Sequence, residues 1–395
     1  MTRQDVAQAA VRKRRFRRRR IVAGLAVLAV ASIVATIVFV ANTYLKVVGN
    51  ISDNVVARPG QSGPVDGPDW SGPVNLLIMG SDTRDGLTSG DYGQDEAGTR
   101  SDVMMLLHVS ADHHDATLVS FPRDTMMPIP ECTNAEGEVF EAEDEAQING
   151  ALNHGPHCSL DAIRDFTGLD VSHFIVVDFD AAINVTNAIG GVDVCVVDDV
   201  EDAYSGLSLT AGEHSIKGAQ ALAFLRTRHG FADGSDLGRI SAQQTFLSAL
   251  ARKVKSAGTL SNPVTLFNLA DAASKSITVD EALGSVPALA GLAGTLAGVE
   301  LDRMVLIQLP VEDYWADDNR VQPIADASEQ IFAALRADLP LTFDAPVPES
   351  PDEDAPALEE PSVPQTPPAR SGTSSAVALP DAARGQTAKD TSCAQ

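Results

Sequence analysis

The 395-residue sequence predicts a layered α/β domain preceded by one transmembrane helix, and three observations carry that prediction. Short apolar runs of strand length alternate with helix-period patterns across residues 74–343. One long uncharged stretch lies near the N-terminus. Charge differs sharply on the two sides of that stretch.

The apolar runs are Val74 to Met79, Val103 to Val109, Thr117 to Phe121, Phe174 to Val177, Val192 to Val197 and Met304 to Leu309. Helical patterns fall near Ser159 to Thr167, Ala181 to Ala188, Ala219 to Leu225, Gly238 to Ser256, Glu281 to Ala297 and Ala325 to Ala337. Strands apolar on both faces, with helices between them, belong to a sheet covered on both sides. The sequence has no internal repeat. Ala282 to Gly298 is apolar enough to imitate a second span, but Pro287, Gly284, Gly291, Gly294 and Gly298 read as a helix of the domain.

The uncharged stretch runs from Ile21 to Leu45, 25 residues rich in Ala, Val, Ile and Leu. A helix crosses the hydrocarbon core with about 20 such residues. Residues 1–20 carry nine Lys/Arg and one acid, so the net −25 of the whole chain leaves −33 downstream. Excess Lys/Arg marks the cytoplasmic side. The reading is a cell-membrane protein, single-pass, with residues 1–20 cytoplasmic, 21–45 spanning and the large acidic domain extracytoplasmic. A cleaved signal would have an apolar region of about 7–15 residues and a small-x-small site. The run into Val40-Ala41-Asn42-Thr43-Tyr44 lacks such a site, and the Arg run lacks a twin-arginine pattern. The basic segment sets orientation, and no nucleic-acid partner is expected.

Residues 46–73, with Gly, Pro, Ser and Asp and little periodicity, read as a linker, which as a flexible coil would reach roughly 30 Å. The domain then spans 74–343. Residues 344–395, rich in Pro, Ala, Ser and acid, read as a disordered tail. In an exported chain, cysteines can pair. Cys132 and Cys158 flank a polar insertion and are expected to form a disulfide. Cys195 is expected as a lone buried thiol, and Cys393, in the tail, as irrelevant to the fold.

Three charged clusters interrupt the apolar pattern. Asn75 to Gly86 (NLLIMGSDTRDG) places Asp82 just past a strand's carboxyl end, where α/β sheets bind ligands. No phosphate-loop or Gly-x-Gly-x-x-Gly signature accompanies it. Arg100-Ser101-Asp102 leads into the second strand, and residues two apart in an extended chain share a side. The third strand ends in Pro122-Arg123-Asp124. Later, Leu225 to Gln244 (LRTRHGFADGSDLGRISAQQ) carries Arg226 and Arg228 at a helix exit, then Asp236, Arg239 and Gln243, which share one helical face. Each residue alone has a bland reading as a surface ion pair or a helix cap. Together, five arginines at element ends of an acidic chain suit phosphate, which a guanidinium grips bidentately. Carboxylates such as Asp82 and Asp102 suit Mg²⁺. His113-His114 and His154-x-x-His157 lack a metal-ligand pattern and read as loop residues.

These motifs, with RSDVMMLLHVS, LVSFPRDTMMPIP, INGALNHG from Ile148, IGGVDV, GAQALAFLRTRHG and SDLGRISAQQTFL, resemble the LytR–CpsA–Psr family, in particular its actinobacterial members. The resemblance covers about Asn75 to Leu250. It implies an α-β-α sandwich with a central mixed sheet that binds a polyprenyl-pyrophosphate-linked glycan. The implied reaction, Mg-assisted, transfers the glycan phosphate to peptidoglycan, and arabinogalactan attachment is one instance. Asp82 and Asp102 match the family's metal-binding aspartates. Arg100, Arg123, Arg226, Arg228 and Arg239 match pyrophosphate-contacting arginines, with Gln243 alongside, and Asp124 and Asp236 match the acids near them. The catalytic set is thus Arg123, Asp124, Arg226, Arg228 and Asp236. The alternatives are a non-catalytic membrane sensor or scaffold binding the same lipid-linked intermediates, and a pyrophosphate hydrolase. Asp85, Asp91, Asp95 and Glu96 offer other carboxylates for the metal. Ser241-Ala242-Gln243-Gln244 stands where the family usually has an Arg before the glutamines, and Glu213-His214 where some relatives carry a cysteine.

Overall fold

The computed structural model describes residues 32, 38–58, 60, 67–81, 101–227, 230–231, 236–256, 259, 262–343 and 376–394. The chain divides into two units, Met1–Asn50 and Ile51–Gln395. In the first, the described residues are helical. Most of the expected span lies outside the described residues, and among those described no helix is long and apolar enough to cross a membrane.

The second unit is built on a mixed eight-stranded sheet. Its strands are β1 (Val55–Val56), β2 (Val74–Ser81), β3 (Ser101–Val109), β4 (Ala116–Phe121), β5 (His173–Val177), β6 (Ile277–Asp280), β7 (Met304–Gln308) and β8 (Arg384–Thr387), in the order β1-β6-β5-β2-β3-β4-β7-β8. β5 and β7 run parallel to β2 and β4 respectively, while β3 is antiparallel to both of its neighbours. The carboxyl ends of β2, β4, β5 and β7 therefore share one edge with the start of β3.

Alternation along the strands splits the sheet's side chains between two cores. Leu77, Met79, Met104, Leu106, Val119, Phe121, Val305 and Ile307 pack on one face with residues of α1 (Pro156–Thr167) and α7 (Ala325–Arg336). Phe332 stacks on Phe121 with centroids 6.4 Å apart and meets Phe166 edge-on at 5.6 Å. Such pairs contribute about 0.5–1.5 kcal/mol each beyond area burial. Leu76, Met105, Leu107, Leu118 and Leu306 face the opposite core, with residues of α4 (Asp236–Lys255) and α6 (Val286–Gly298). The result is a helix–sheet–helix sandwich. A third core lies under the hairpin of Val192–Val196 with Gly212–Ile216, against α3 (Ala219–Arg226) and α4.

All six apolar runs form strands, and all six helical patterns contain helices. Two central elements follow without a sequence signal. Asn262 caps α5 (Pro263–Ser276) through bonds from the amides of Val264 and Thr265, and β6 continues directly from it. In chain order α2 (Phe179–Ala188) stands between α1 and α3, at the exit of β5.

Three expectations are corrected. The stretch 46–73 is not uniformly a linker: residues 46–53 are helical, with Val47 and Ile51 one turn apart and both buried, and β1 follows. Part of the expected disordered tail is ordered, since β8 pairs antiparallel with β7 from Val305↔Thr387 to Gln308↔Arg384. Arg252 donates to the carbonyls of Ala388 and Asp390, and Gln386 Nε2 to Ser248 Oγ at 2.8 Å. Finally, Cys195 is not a lone thiol and Cys393 is not irrelevant, for the two form a disulfide. Cys195 does stand opposite Glu213 in its hairpin, but its partner arrives from the C-terminal segment, whose Ala394 bridges Val196. A second disulfide joins Cys132 to Cys158, with Cα atoms 5.4 Å apart.

Candidate active site

The described parts of the charged clusters lie at the sheet edge where β2, β4 and β5 end. Ser81, the last residue of β2, pairs with Ser101, and Gly80 with Val103, so Asp102 is the extra residue of a β-bulge. A bulge breaks strict alternation and is a common way to re-aim a strand beside a functional site. Gly80 suits this spot, because a Cβ there would lie 3.0 Å from that of Val103. Asp82 and Arg100, which flank this register, lie outside the described residues, as does Arg228. The side chains of Asp102 and Asp236 also lie outside what is described. Among the described residues, no group of three or more His, Cys, Asp or Glu is arranged to hold a metal.

Two strands away, Arg123 and Asp124 are the central residues of a turn that follows β4 at once. The Thr125 amide and hydroxyl both donate to the carbonyl of Pro122, at 3.1 and 2.6 Å. Arg123 Nε lies 3.2 Å from Asp124 Oδ2. Asp124 Oδ1 accepts from Gln147 Nε2 at 2.8 Å and faces Arg320 Nη1 at 3.6 Å. Gln147 ends the strand Glu143–Gln147, which pairs with Met126–Ile129. Arg320 precedes the hairpin strand Val321–Pro323, whose Val321 amide donates to the Asp124 carbonyl at 3.3 Å. Asp124 is thus bound through both main chain and side chain, and it fixes the neighbouring Arg123.

At the exit of β5, Asp178 caps α2 by accepting from the Ala181 amide at 2.8 Å. Burial, opposed by that bond, pushes the Asp178 pKa up. Phe179 follows, and the guanidinium carbon of Arg226 sits 4.8 Å from its ring centroid. Arg226 ends α3 because Thr227 turns extended (ψ 131°). The buried Thr227 hydroxyl satisfies the Ala223 carbonyl at 2.8 Å and lies 2.6 Å from Ser205 Oγ. Gln243 Nε2 donates to the Leu225 carbonyl at 3.1 Å. Arg239 and Gln243, one turn apart on α4, are only 4% and 3% exposed. Of the expected polar stripe, Arg239 and Gln243 are therefore inside the molecule, and Gln243 is bonded one residue from Arg226.

The described structure thus brings Arg123 and Asp124, the start of β3, and Arg226 to one edge, with Gln243 bonded beside Arg226. Sequence reasoning missed Gln147, Arg320, Phe179 and Thr227. Gln147 lies next to the quoted INGALNHG segment, whereas Arg320 carries no local pattern. His157, expected in a loop, is buried in the first turn of α1, edge-on to Phe174 at 5.0 Å.

Comparison with known proteins fits this arrangement. A family model described as LytR_cpsA_psr matches residues 38–337. The cell wall biosynthesis protein LcpA of Corynebacterium glutamicum is 33% identical over 264 residues, 60% of this chain and 50% of that protein. The polyisoprenyl-teichoic acid–peptidoglycan teichoic acid transferase TagU of Enterococcus faecalis is 28% identical, over 48% of this chain and 56% of its own. The chain therefore spans about half the length of the curated relatives it matches. Among solved structures, a LytR-Csp2A-Psr enzyme from Actinomyces oris aligns at TM-score 0.52 and 24% identity, covering 71% of this chain and 96% of that one. TagT bound to LI-WTA aligns at 0.52 and 20%, covering 72% and 98%. At these identities the structures speak for the fold. The family match, which takes in most of the chain and every element of the charged edge up to Arg320, establishes that this chain belongs to the LytR–CpsA–Psr family.

Proposed function

We propose that the chain transfers a cell-wall glycopolymer phosphate from a polyprenyl-pyrophosphate-linked donor to peptidoglycan. Family membership and the transferase activity for which relatives such as TagU are named support the reaction class. The observation that carries it is the common sheet edge of Arg123 and Arg226, each held by separate neighbours. One arginine against a phosphate at 4 Å contributes about 4 kcal/mol at an effective dielectric near 20. Only the part of that interaction that grows as the transition state forms accelerates the reaction.

In this reading an acceptor hydroxyl attacks the glycan-bearing phosphorus. A new P–O bond forms, the bond to the polyprenyl phosphate breaks, and that phosphate leaves with its electron pair. Arg100, Arg123, Arg226, Arg228 and Arg239 spread the charge, with Gln243 alongside. Asp124, gripped by Arg320 and Gln147, orients Arg123, and we assign the hydroxyl's proton to Asp236 at the start of α4. Asp102, the extra residue of the bulge, and Asp82, next in sequence after β2, would supply carboxylate oxygens of the kind that suit Mg²⁺, which would add charge neutralisation if bound. The reading also keeps the domain extracytoplasmic behind a single span at 21–45, where tethering holds enzyme and lipid-linked donor on one surface.

The test incubates the protein with a short-chain polyprenyl-pyrophosphate glycan, Mg²⁺ and peptidoglycan. The expected result is polyprenyl phosphate release matched by glycan joined to the wall. Release without joining would mean a hydrolase, and binding without release a sensor or scaffold.

A further inference from the structure

The hairpin of Val311–Asp313 with Val321–Pro323 leaves the sheet at the carboxyl end of β7. Its tip is well ordered. The Tyr314 amide donates to the Arg320 carbonyl at 3.0 Å, the Asp317 amide to Tyr314 at 3.2 Å and the Arg320 amide to Asp317 at 2.9 Å. The Asn319 amide donates to the Asp317 carboxylate at 2.9 Å, and the bonds from Asn319 hold that carboxyl below its ordinary range. Tyr314 is buried, and its hydroxyl donates to Glu145 Oε2 at 2.6 Å. Beside it Trp315 is 77% exposed, its ring 5.6 Å from that of Tyr314.

A fixed turn that presents an indole to water forgoes the gain of burying one of the largest apolar side chains. The side chain is also tied to the arginine edge by a short chain of contacts. Trp315 adjoins Tyr314, Tyr314 bonds the Arg320 backbone, and Arg320 faces Asp124, which orients Arg123. An indole face next to carboxylates is the chemistry that receives a sugar ring, with C–H groups on the aromatic face and hydroxyls on the oxygens. Because the tip is already ordered, little further conformational freedom is lost on binding.

Charge argues against a polyanionic occupant. Near the indole, Asp313 and Asp318 of the same turn are exposed, as is Glu145, which is bonded to Tyr314. Such a rim repels a phosphate-rich polymer and accepts a neutral or amine-bearing strand. Resting on the function proposed above, we infer that Trp315 is the stacking platform of a subsite for the peptidoglycan acceptor strand, next to the arginine edge.

The experiment titrates soluble, uncrosslinked peptidoglycan strands, without donor, into the full-length protein and its Trp315→Ala and Trp315→Phe variants by calorimetry. Trp315→Ala is expected to weaken strand binding at least about tenfold, or about 1.4 kcal/mol, and Trp315→Phe to restore most of it. Affinity for a short-chain polyprenyl pyrophosphate should not change. Unaltered strand binding by Trp315→Ala would overturn the subsite, as would an equal loss for the polyprenyl pyrophosphate. Tighter binding of a polyanionic teichoic acid than of peptidoglycan strands would overturn the choice of occupant. The same proteins in the transfer assay separate the two proposals. Trp315-dependent strand binding without phosphate release sinks the transferase reading alone, and transfer with an unchanged acceptor KM in Trp315→Ala sinks the subsite alone.

Discussion

The two arginines at the sheet edge are held by opposite means. Arg123 sits in a corner made of charge, where its neighbour Asp124 is shared with Gln147 and Arg320. Arg226 sits in a corner made of an aromatic ring and hydroxyls, with Phe179 under its guanidinium and Thr227 locking the helix end behind it. The first corner is assembled from three distant segments and depends on electrostatics. The second depends on packing and on hydrogen bonds near a helix terminus. Removing a support should therefore damage the two corners differently, although both arginines serve one ligand in the proposed reaction.

The sharpest test is loss of the arginines themselves. Arg123→Ala and Arg226→Ala should each abolish glycan transfer while circular dichroism and melting temperature stay near wild type. Near-normal transfer by either would break the assignment of both to one phosphate site. One step weaker, Arg320→Ala should cut transfer about tenfold to a hundredfold by loosening Asp124, a loss of about 1.4–2.8 kcal/mol. Phe179→Leu, which removes a contact of about 0.5–2 kcal/mol, should cost less, roughly twofold to thirtyfold. An Arg320 variant as active as wild type would make that corner a mere surface pairing.

Salt sharpens the contrast further. Raising ionic strength from about 0.05 to 0.5 M shortens the Debye length to a few ångströms. The deficit of Arg320→Ala relative to wild type should shrink, because wild type loses the same pairing, whereas the Phe179→Leu deficit should persist. If both deficits respond alike, the distinction between the corners is wrong.

The smallest effect concerns pH and lies outside both corners. Burial pushes the pKa values of His108 and His157 below 6.5, for His108 despite the nearby Asp338. A lowered folded-state pKa means that the unfolded chain takes up protons first. Stability from these two groups is present above pH 6.5 and falls as pH drops below it toward the folded-state values. Melting temperature should decline over that window, and His157→Gln should flatten part of the decline. A flat melting profile from pH 7 to 5 in the wild type would refute it.

Much of this edge was legible in the sequence, for reasons that differ residue by residue. Arg123 and Asp124 stood out because an apolar strand ends at Pro122 beside them, and Arg226 because a helical pattern stops there. The partners Gln147 and Arg320 could not be read, since a long-range pairing leaves no local periodicity. The sandwich followed from strands apolar on both faces. The edge strand β8 was missed because Arg384-Gly385-Gln386-Thr387 has no apolar alternation. Its place comes from backbone bonds to β7 and from the Cys195–Cys393 link, neither of which composition reveals.

That link bears on the order in which the molecule is completed. Cys132 and Cys158 are 26 residues apart, while Cys195 must wait for a partner 198 residues further along. During synthesis, which proceeds from the N-terminus, the close pair can be joined before Cys393 exists. Cys195 is then the one thiol left, and pairing is decided by arrival time. A chain oxidised only after it is whole must instead choose among three connectivities for four cysteines. Reduced and refolded material should accordingly regain native pairing less faithfully than protein oxidised as it is made.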